Sequence, residues 1–412
     1  MFNLNIHNKC FVNIKDNYDT FVGIKCIDGD IKINFPMGFS ISNDDDGLRK
    51  DILLLINTLS QNTEKKESEF LGQAKKNNEA EFPIQAYIET IKDFYSNGYY
   101  KECEILYTVS KKGKINWNRT IKTQRPYIQD NQVYYLDFIT KKNTVNEDNL
   151  ITLIHEYCVH DSFMKIGWLF AKGMPKKPQI KFNKNLFISI VTDKLSSTFN
   201  DRSRKLLINM LAIIKYTGDS DAKVNYKYGT YRFEYVWEKM IDKVFGIENK
   251  AEYFPRTTWT LNGRKFSNSS LEPDTIMIAD NNVYVLDAKY YKFGVTGIPS
   301  HLPESTSINK QITYGEYIYE DKEGKFRKLH GEGMKVYNAF LMPFDLQDSK
   351  FKTSDNIVYI GEAESSWKIG LKEYERIHGI LIDMKYLMKK NIRKDESEIS
   401  NLSSIINNAI KI

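Results

Sequence analysis

The spacing of apolar residues changes repeatedly along the chain, and each change predicts an element. Residues 11–17, 21–27 and 31–35 (FVNIKDN, FVGIKCI, IKINF) are short β-branched or aromatic runs separated by Asp, Asn and Gly, which predicts strands. Asp44-Asp45-Asp46-Gly47 then precedes a run in which Leu48, Ile52, Leu55 and Leu59 share one helical stripe. Acids suit a helix N-terminus, and the distant Glu of a calcium loop is missing, so capping is favoured over metal binding. Residues 63–82 are polar and charged and read as a solvated helix or linker. Residues 83–97 read as a helix, and 104–110 and 132–140 as strands. Residues 149–171 are mostly apolar at helical spacing. His155 and Cys158 share a face there while His160 is rotated away, which favours a core helix over a metal site.

The second half alternates differently. Residues 195–216 are predicted as a helix, 217–230 as a polar loop and 231–246 as a helix. The last has an apolar face of Phe233, Val236, Trp237, Met240, Ile241 and Val244, with Glu234 and Glu238 one turn apart on another side. Strands are predicted at 257–261, 274–279, 283–291, 336–344, 356–362 and 378–384, with helices at 306–319 and 396–410. This order predicts an α/β (α+β) multidomain protein with a mixed central sheet flanked by helices. The basic, two-proline stretch 172–184 is the expected linker between an N-terminal α+β region, 1–171, and a C-terminal domain, 185–412.

Composition narrows the class. Of 412 residues, 41% are hydrophobic and 27% charged, a globular balance. No run approaches the ~20 apolar residues of a membrane span, and no signal peptide is evident, so a cytoplasmic protein without a membrane partner is expected. Cys10, Cys26, Cys103 and Cys158 are scattered, which argues against a zinc ribbon or disulfide framework. Net charge is +6, from 59 basic and 53 acidic residues, compatible with a polyanionic partner. The basic charge concentrates at 111–125, where Lys111, Lys112, Lys114, Arg119, Lys122 and Arg125 meet no acid and Trp117 lies among them. This stretch suits DNA contact, or else forms a solvated hairpin with Trp117 packed inward. Gly113-Lys114 lacks the remainder of a Walker A loop and no other stretch supplies one.

The stretch that carries chemistry is Pro273-Asp274, twelve residues, then Asp287-Ala288-Lys289. Asp274 opens one strand, and Asp287 and Lys289 end the next. Residues two apart on a strand project to one side, so Asp287 and Lys289 point together, and a hairpin turn at 279–282 brings Asp274 beside them. Two carboxylates and a lysine match metal-assisted phosphodiester hydrolysis, in which hard oxygens hold Mg²⁺. A strand-end salt bridge is the plainer alternative. The apolar lead-in Val283–Leu286 and the flanking helices favour the nuclease reading.

LEPD at 271–274 followed by VLDAKYY at 285–291 resembles the PD-(D/E)xK nuclease superfamily. More narrowly, with FPMGF (35–39), GKINWNRTI (113–121), DSFMKIGWLF (161–170), FEYVWEKM (233–240) and INKQITYGEY (308–317), the chain resembles LlaJI-type restriction endonucleases, related to McrC. The resemblance implies a catalytic core of Glu238, Asp274, Asp287 and Lys289, with Gln311 as a supporting polar residue and Glu234 as the other candidate for the helix acid. It implies metal ligation by Asp274, Asp287 and Glu238, cleavage of double-stranded DNA with Mg²⁺, and a separate McrB-like AAA+ GTPase subunit through which alone GTP enters. The N-terminal half, with Lys111, Lys112, Lys114, Trp117 and Arg119, would then meet DNA or that subunit. A repair or recombination nuclease of the same superfamily and a non-catalytic DNA-binding adaptor are the alternatives.

Overall fold

The computed structural model describes residues 6–14, 20–62, 82–146, 149–170, 173–217, 225–368 and 370–409. The chain begins with strands β1 (Cys10–Val12), β2 (Val22–Ile27) and β3 (Asp30–Phe35) and helix α1 (Asp45–Asn62). Next come α2 (Ile84–Asn97), β4 (Glu102–Val109), β5 (Lys114–Ile115), α3 (Trp117–Thr123), β6 (Tyr127–Gln129), β7 (Gln132–Tyr134), β8 (Ile139–Asn146), α4 (Leu150–Ile166), α5 (Lys184–Ser197) and α6 (Asp201–Tyr216). The remainder holds β9 (Tyr226–Thr230), α7 (Phe233–Phe245), β10 (Thr258–Leu261), β11 (Arg264–Ser267), β12 (Thr275–Ala279), β13 (Asn282–Ala288), α8 (Phe293–Thr296), α9 (Ser305–Glu320), α10 (Lys325–His330), β14 (Val336–Phe344), β15 (Ile357–Ala363), β16 (Ile377–Asp383), α11 (Met384–Lys390) and α12 (Glu396–Ala409). No helix among the described residues is long and apolar enough to cross a membrane.

The chain folds as two units, one formed by residues 1–4 and 80–222 and the other by 5–79 and 223–412. These bounds differ from the expected linker at 172–184. The reason is β9, which lies where a polar loop was expected. It pairs antiparallel with β2, Val22 opposite Thr230, and draws the first strands into the second unit. Gly23 and Gly229 make this pairing possible: a Cβ on Gly23 would sit 2.2 Å from the Tyr228 carbonyl oxygen. A lysine and a glycine inside YKYGT hide its strand character from periodicity.

In the first unit, α2, α4, α5 and α6 pack around buried Tyr87, Ile91, Ile154, Val159, Leu207 and Met210. The expected single helix at 195–216 is two, because Asn200 caps α6 by accepting from the Ser203 N–H at 3.0 Å. The expected strand at 132–140 is likewise β7 and β8, broken between them. On α4, His155 is buried and its Nδ1 accepts from the Tyr100 N–H at 2.9 Å. Burial pushes that imidazole down to about 4, so it packs neutral. Residues 63–81 lie outside the described residues.

The second unit contains the mixed sheet, in the order β12-β13-β14-β16-β15. The inner pairs β13–β14 and β14–β16 are parallel, and the outer pairs β12–β13 and β15–β16 antiparallel. All nine residues of β14 are buried, as a central strand covered on both faces requires. Helix α9 lies on β14 closely enough that a Cβ on Gly315 would stand 2.6 Å from Asn338 Nδ2 and 2.7 Å from Tyr374 Cβ. Beneath it, Gln311 Nε2 donates to the Val285 carbonyl at 2.7 Å and Asn338 Nδ2 to the Tyr374 carbonyl at 2.6 Å. The acids before α1 cap it as expected: Asp44 Oδ1 accepts from the Gly47 N–H at 2.7 Å. Lys385 on α11 bonds to Asp51 on α1 at 2.8 Å, which fixes that helix in the second unit.

Substituting Gly315→Ala should push α9 off the sheet and destabilise the second unit by about 1–3 kcal/mol, as overpacking does. Chemical denaturation followed by hydrogen exchange in β13 and β14 reads this; an unchanged midpoint would contradict the close helix–sheet contact.

Candidate active site

The turn at Asp280-Asn281 sets the geometry. Both residues adopt left-handed backbone, φ 48° and 62°, closing a two-residue hairpin whose twist matches the strands. From it β12 and β13 pair with Thr275 opposite Leu286. Continuing that register by one step places Asp274 across from Asp287. Asp274 Oδ2 accepts from the Ala288 N–H at 2.8 Å, and Asp287 Oδ2 meets Lys289 Nζ at 2.7 Å. The Lys289 N–H in turn donates to the Leu341 carbonyl of β14 at 2.9 Å, so the end of β13 is fixed against its parallel neighbour.

Helix α7 supplies the acid from the side. Its Trp237 is fully buried and donates Nε1 to the Leu341 carbonyl at 3.2 Å. That anchor faces the next residue, Glu238, toward the aspartates. Glu234, a turn earlier, instead pairs with Arg232 at 3.2 Å. Tyr290, buried between Phe233 and Trp237, accepts the Met37 N–H at 2.7 Å and so ties the FPMGF segment to the end of β13.

Crowding shows in the electrostatics. Burial first, then hydrogen bonding to and the charge of Asp287, then Glu238, pushes the Asp274 carboxyl up to about 8. Burial, then the charges of Asp287 and Glu234, raises Glu238 to about 7, against the opposing pull of Lys289 and Arg232. Burial opposes the charge on Lys289, but Asp287 outweighs it and the ammonium titrates above its ordinary range.

Glu238, Asp274, Asp287 and Lys289 are thus brought together. Gln311 is not: it is fully buried and its side-chain amide bonds to the Val285 carbonyl and to Asn338, beneath the sheet surface. Two residues of α9 that sequence reading passed over act on the aspartates instead. Lys310 is raised by its bond to Tyr314 and by the charges of Asp287 and Asp274, and Tyr314 donates its hydroxyl to the Glu272 carbonyl at 3.3 Å. Their spacing of four on a helix following the motif was the available signal. Lys111, Lys112, Lys114, Trp117 and Arg119 belong to the first unit, around β5 and the unexpected helix α3. All five are exposed. Trp117 is 53% exposed, touching Phe138 edge-on, so it does not pack inward. Arg119 lies over the Tyr107 ring at 3.8 Å.

Among the described residues, no group of three His, Cys, Asp or Glu is close enough to hold a metal ion. Two facing aspartates still fit Mg²⁺, which characteristically takes one or two carboxylates and keeps water in its other positions. Glu238 acts on that pair through charge without completing a three-carboxylate set.

A family model described as LlaJI restriction endonuclease matches residues 21–360. The chain belongs to the LlaJI restriction endonuclease family. The match includes Glu238, Asp274, Asp287 and Lys289, and the expected membership is borne out. Among solved structures, the chain is similar to one in the refined half-complex of a tetradecameric assembly of Thermococcus gammatolerans McrB AAA+ hexamers with bound McrC. Identity is 15%, 94% of this chain and 82% of that chain are covered, and the TM-score is 0.38. Comparison with curated proteins gives no match.

The raised carboxyls set a pH dependence of stability. Their unfolded values are about 3.9 for Asp and 4.3 for Glu. Between those values and the folded ones, the folded chain binds more protons than the unfolded. In chelator, stability should therefore fall as pH rises from about 4 to about 8. Asp274→Asn should flatten this decline and be the more stable protein at pH 8, by at least about 1 kcal/mol. Denaturation midpoints at pH 5 and 8 check it; parallel profiles for the two proteins would show that Asp274 is not protonated by its surroundings.

Proposed function

We propose that this chain is the Mg²⁺-dependent endonuclease subunit of a restriction system, cutting double-stranded DNA together with a McrB-like AAA+ GTPase. The observation that carries the reading is the convergence of Asp274, Asp287, Lys289 and Glu238 at one end of the central sheet, within a member of a restriction endonuclease family. The absence of a Walker A loop supports a separate nucleotide-binding partner.

Asp274 and Asp287 would hold the divalent cation. Bound there, it supplies positive charge to a phosphate oxygen and acidifies water. The Ala288 N–H fixes one oxygen of Asp274 and so orients the carboxyl that would hold the cation. Lys289 is held by Asp287 so that its ammonium stabilises charge gathering on the phosphoryl group in the transition state. Glu238, raised to about 7, exchanges a proton near neutral pH and suits the transfer of a proton from the attacking water. Lys310 adds positive charge on the α9 side, where phosphate would enter.

Asp274→Ala or Asp287→Ala should abolish cleavage while the chain still folds, and Lys289→Ala should lower kcat by about 10²–10³. Full activity in either aspartate variant would overturn the assignment. Glu238→Gln should cost more activity than Glu234→Gln; the reverse order would move the helix acid back one turn.

Partner dependence is tested by turnover with and without the GTPase subunit and GTP. The chain alone should cut slowly and without site preference, and the complex selectively. Efficient site-specific cleavage by the chain alone would contradict the partner.

A further inference from the structure

The hairpin β10–β11 is unusual within the second unit, because all eight of its strand residues are exposed. Trp259, Leu261 and Phe266 are 62%, 54% and 52% exposed. The register sets Trp259 opposite Phe266 and Leu261 opposite Arg264, which gathers two aromatics, a leucine and an arginine on one face. Thr258, Thr260, Lys265 and Ser267 form the other face. The tip is an Asn262-Gly263 turn with φ 50° and 78°, the two-residue geometry that keeps the ribbon straight.

A lone two-stranded ribbon is marginal in water, so this one depends on its root. There the Asn268 N–H donates to the Thr257 carbonyl and the Leu271 N–H to the Pro255 carbonyl, each at 2.9 Å. Arg256 Nε donates to Ser270 Oγ at 2.8 Å. The arm is thus fixed at its base and bare along its length.

Charge identifies what covers it. From residue 253 to 271 the chain carries Arg256, Arg264 and Lys265 and no acid. No ion pair among the described residues involves Arg264 or Lys265. Basic groups alternating with hydroxyls make phosphate contacts, and a two-stranded ribbon has the width that the major groove admits. The root also lies close to the chemistry. Asn268 is six residues before Asp274, at most about 21 Å of chain, well inside one turn of duplex, about 34 Å.

We propose that β10–β11 is a docking arm that enters a groove of duplex DNA beside the Asp274–Asp287 site, with Trp259 and Phe266 against the bases and Arg264 and Lys265 on phosphates. This rests on the nuclease reading and adds to it the element that holds the substrate in register with the cut.

The test is fluorescence anisotropy of a labelled mixed-sequence duplex with the full-length chain in EDTA, where binding is read without cleavage. Trp259→Ala/Phe266→Ala should weaken binding about tenfold, by losing apolar contacts to base edges in the groove. Arg264→Ala/Lys265→Ala should make the salt dependence of log K shallower by about two, one for each phosphate contact. Because these side chains are exposed, both variants should keep the wild-type denaturation midpoint. Wild-type affinity and salt slope in both arm variants, with a wild-type chain that binds and cuts, would overturn the arm and leave the nuclease reading standing. A wild-type chain that neither binds duplex nor cuts it with its partner would overturn both. Arm variants that bind DNA normally but lose self-association on size exclusion would assign the surface to a second copy and overturn the proposal.

Discussion

The pairing of β12 with β13 sets Thr275 opposite Leu286 and thereby brings Asp274 to Asp287. A strand alternates sides at every residue, so a slip of one position would turn Ile276, Val283 and Val285 out of the core and carry the carboxylates away from each other. The register is guarded from both ends. The Asp280-Asn281 turn admits only a short loop, and β13 is pinned along its other edge by β14, whose residues are all buried.

Holding two carboxylates and a nearby glutamate at a sheet end is unfavourable unless something offsets the repulsion. Lys289 offsets part of it through its ion pair with Asp287, and the Ala288 N–H offsets part through Asp274. The rest remains as the upward titration of Asp274 and Glu238. Strained electrostatics of this kind marks a candidate functional site. It also explains the heavy scaffolding around it: Trp237 fixed to Leu341, Tyr290 to Met37, and Gln311 to Val285. Gln311 therefore seats α9, the helix that carries Lys310 and Tyr314.

The second unit is assembled from two stretches of chain far apart in sequence. β2 joins β9, FPMGF meets the end of β13, and α1 meets α11. Gly38 shows how tight this is: with φ 79° it lies so close to Phe344 that a Cβ would come within 3.1 Å of its backbone. The first unit is inserted between these stretches and carries its basic residues on its own small sheet and helix.

Local rules sufficed where one face of an element meets one core. The strands of the mixed sheet, α7 with its apolar stripe, α9, α12 and the hairpin joining Asp274 to Asp287 all follow from alternation, helical spacing and turn residues in the sequence itself. So do the candidacy of Asp274, Asp287 and Lys289, because their roles depend on strand periodicity over a few residues. Tertiary structure alone decided the rest, and the reason is sequence distance. That YKYGT is a strand depends on Gly23 being there to receive it. That the chain divides at 80 and 222 depends on that same pairing. The approach of Glu238, already favoured by the family resemblance, to Asp287 depends on Trp237 anchoring to a strand more than a hundred residues away, while Arg232 engages Glu234. No local pattern encodes which of two acids on a helix faces a sheet end, because that choice is made by how the helix is rotated against its neighbours.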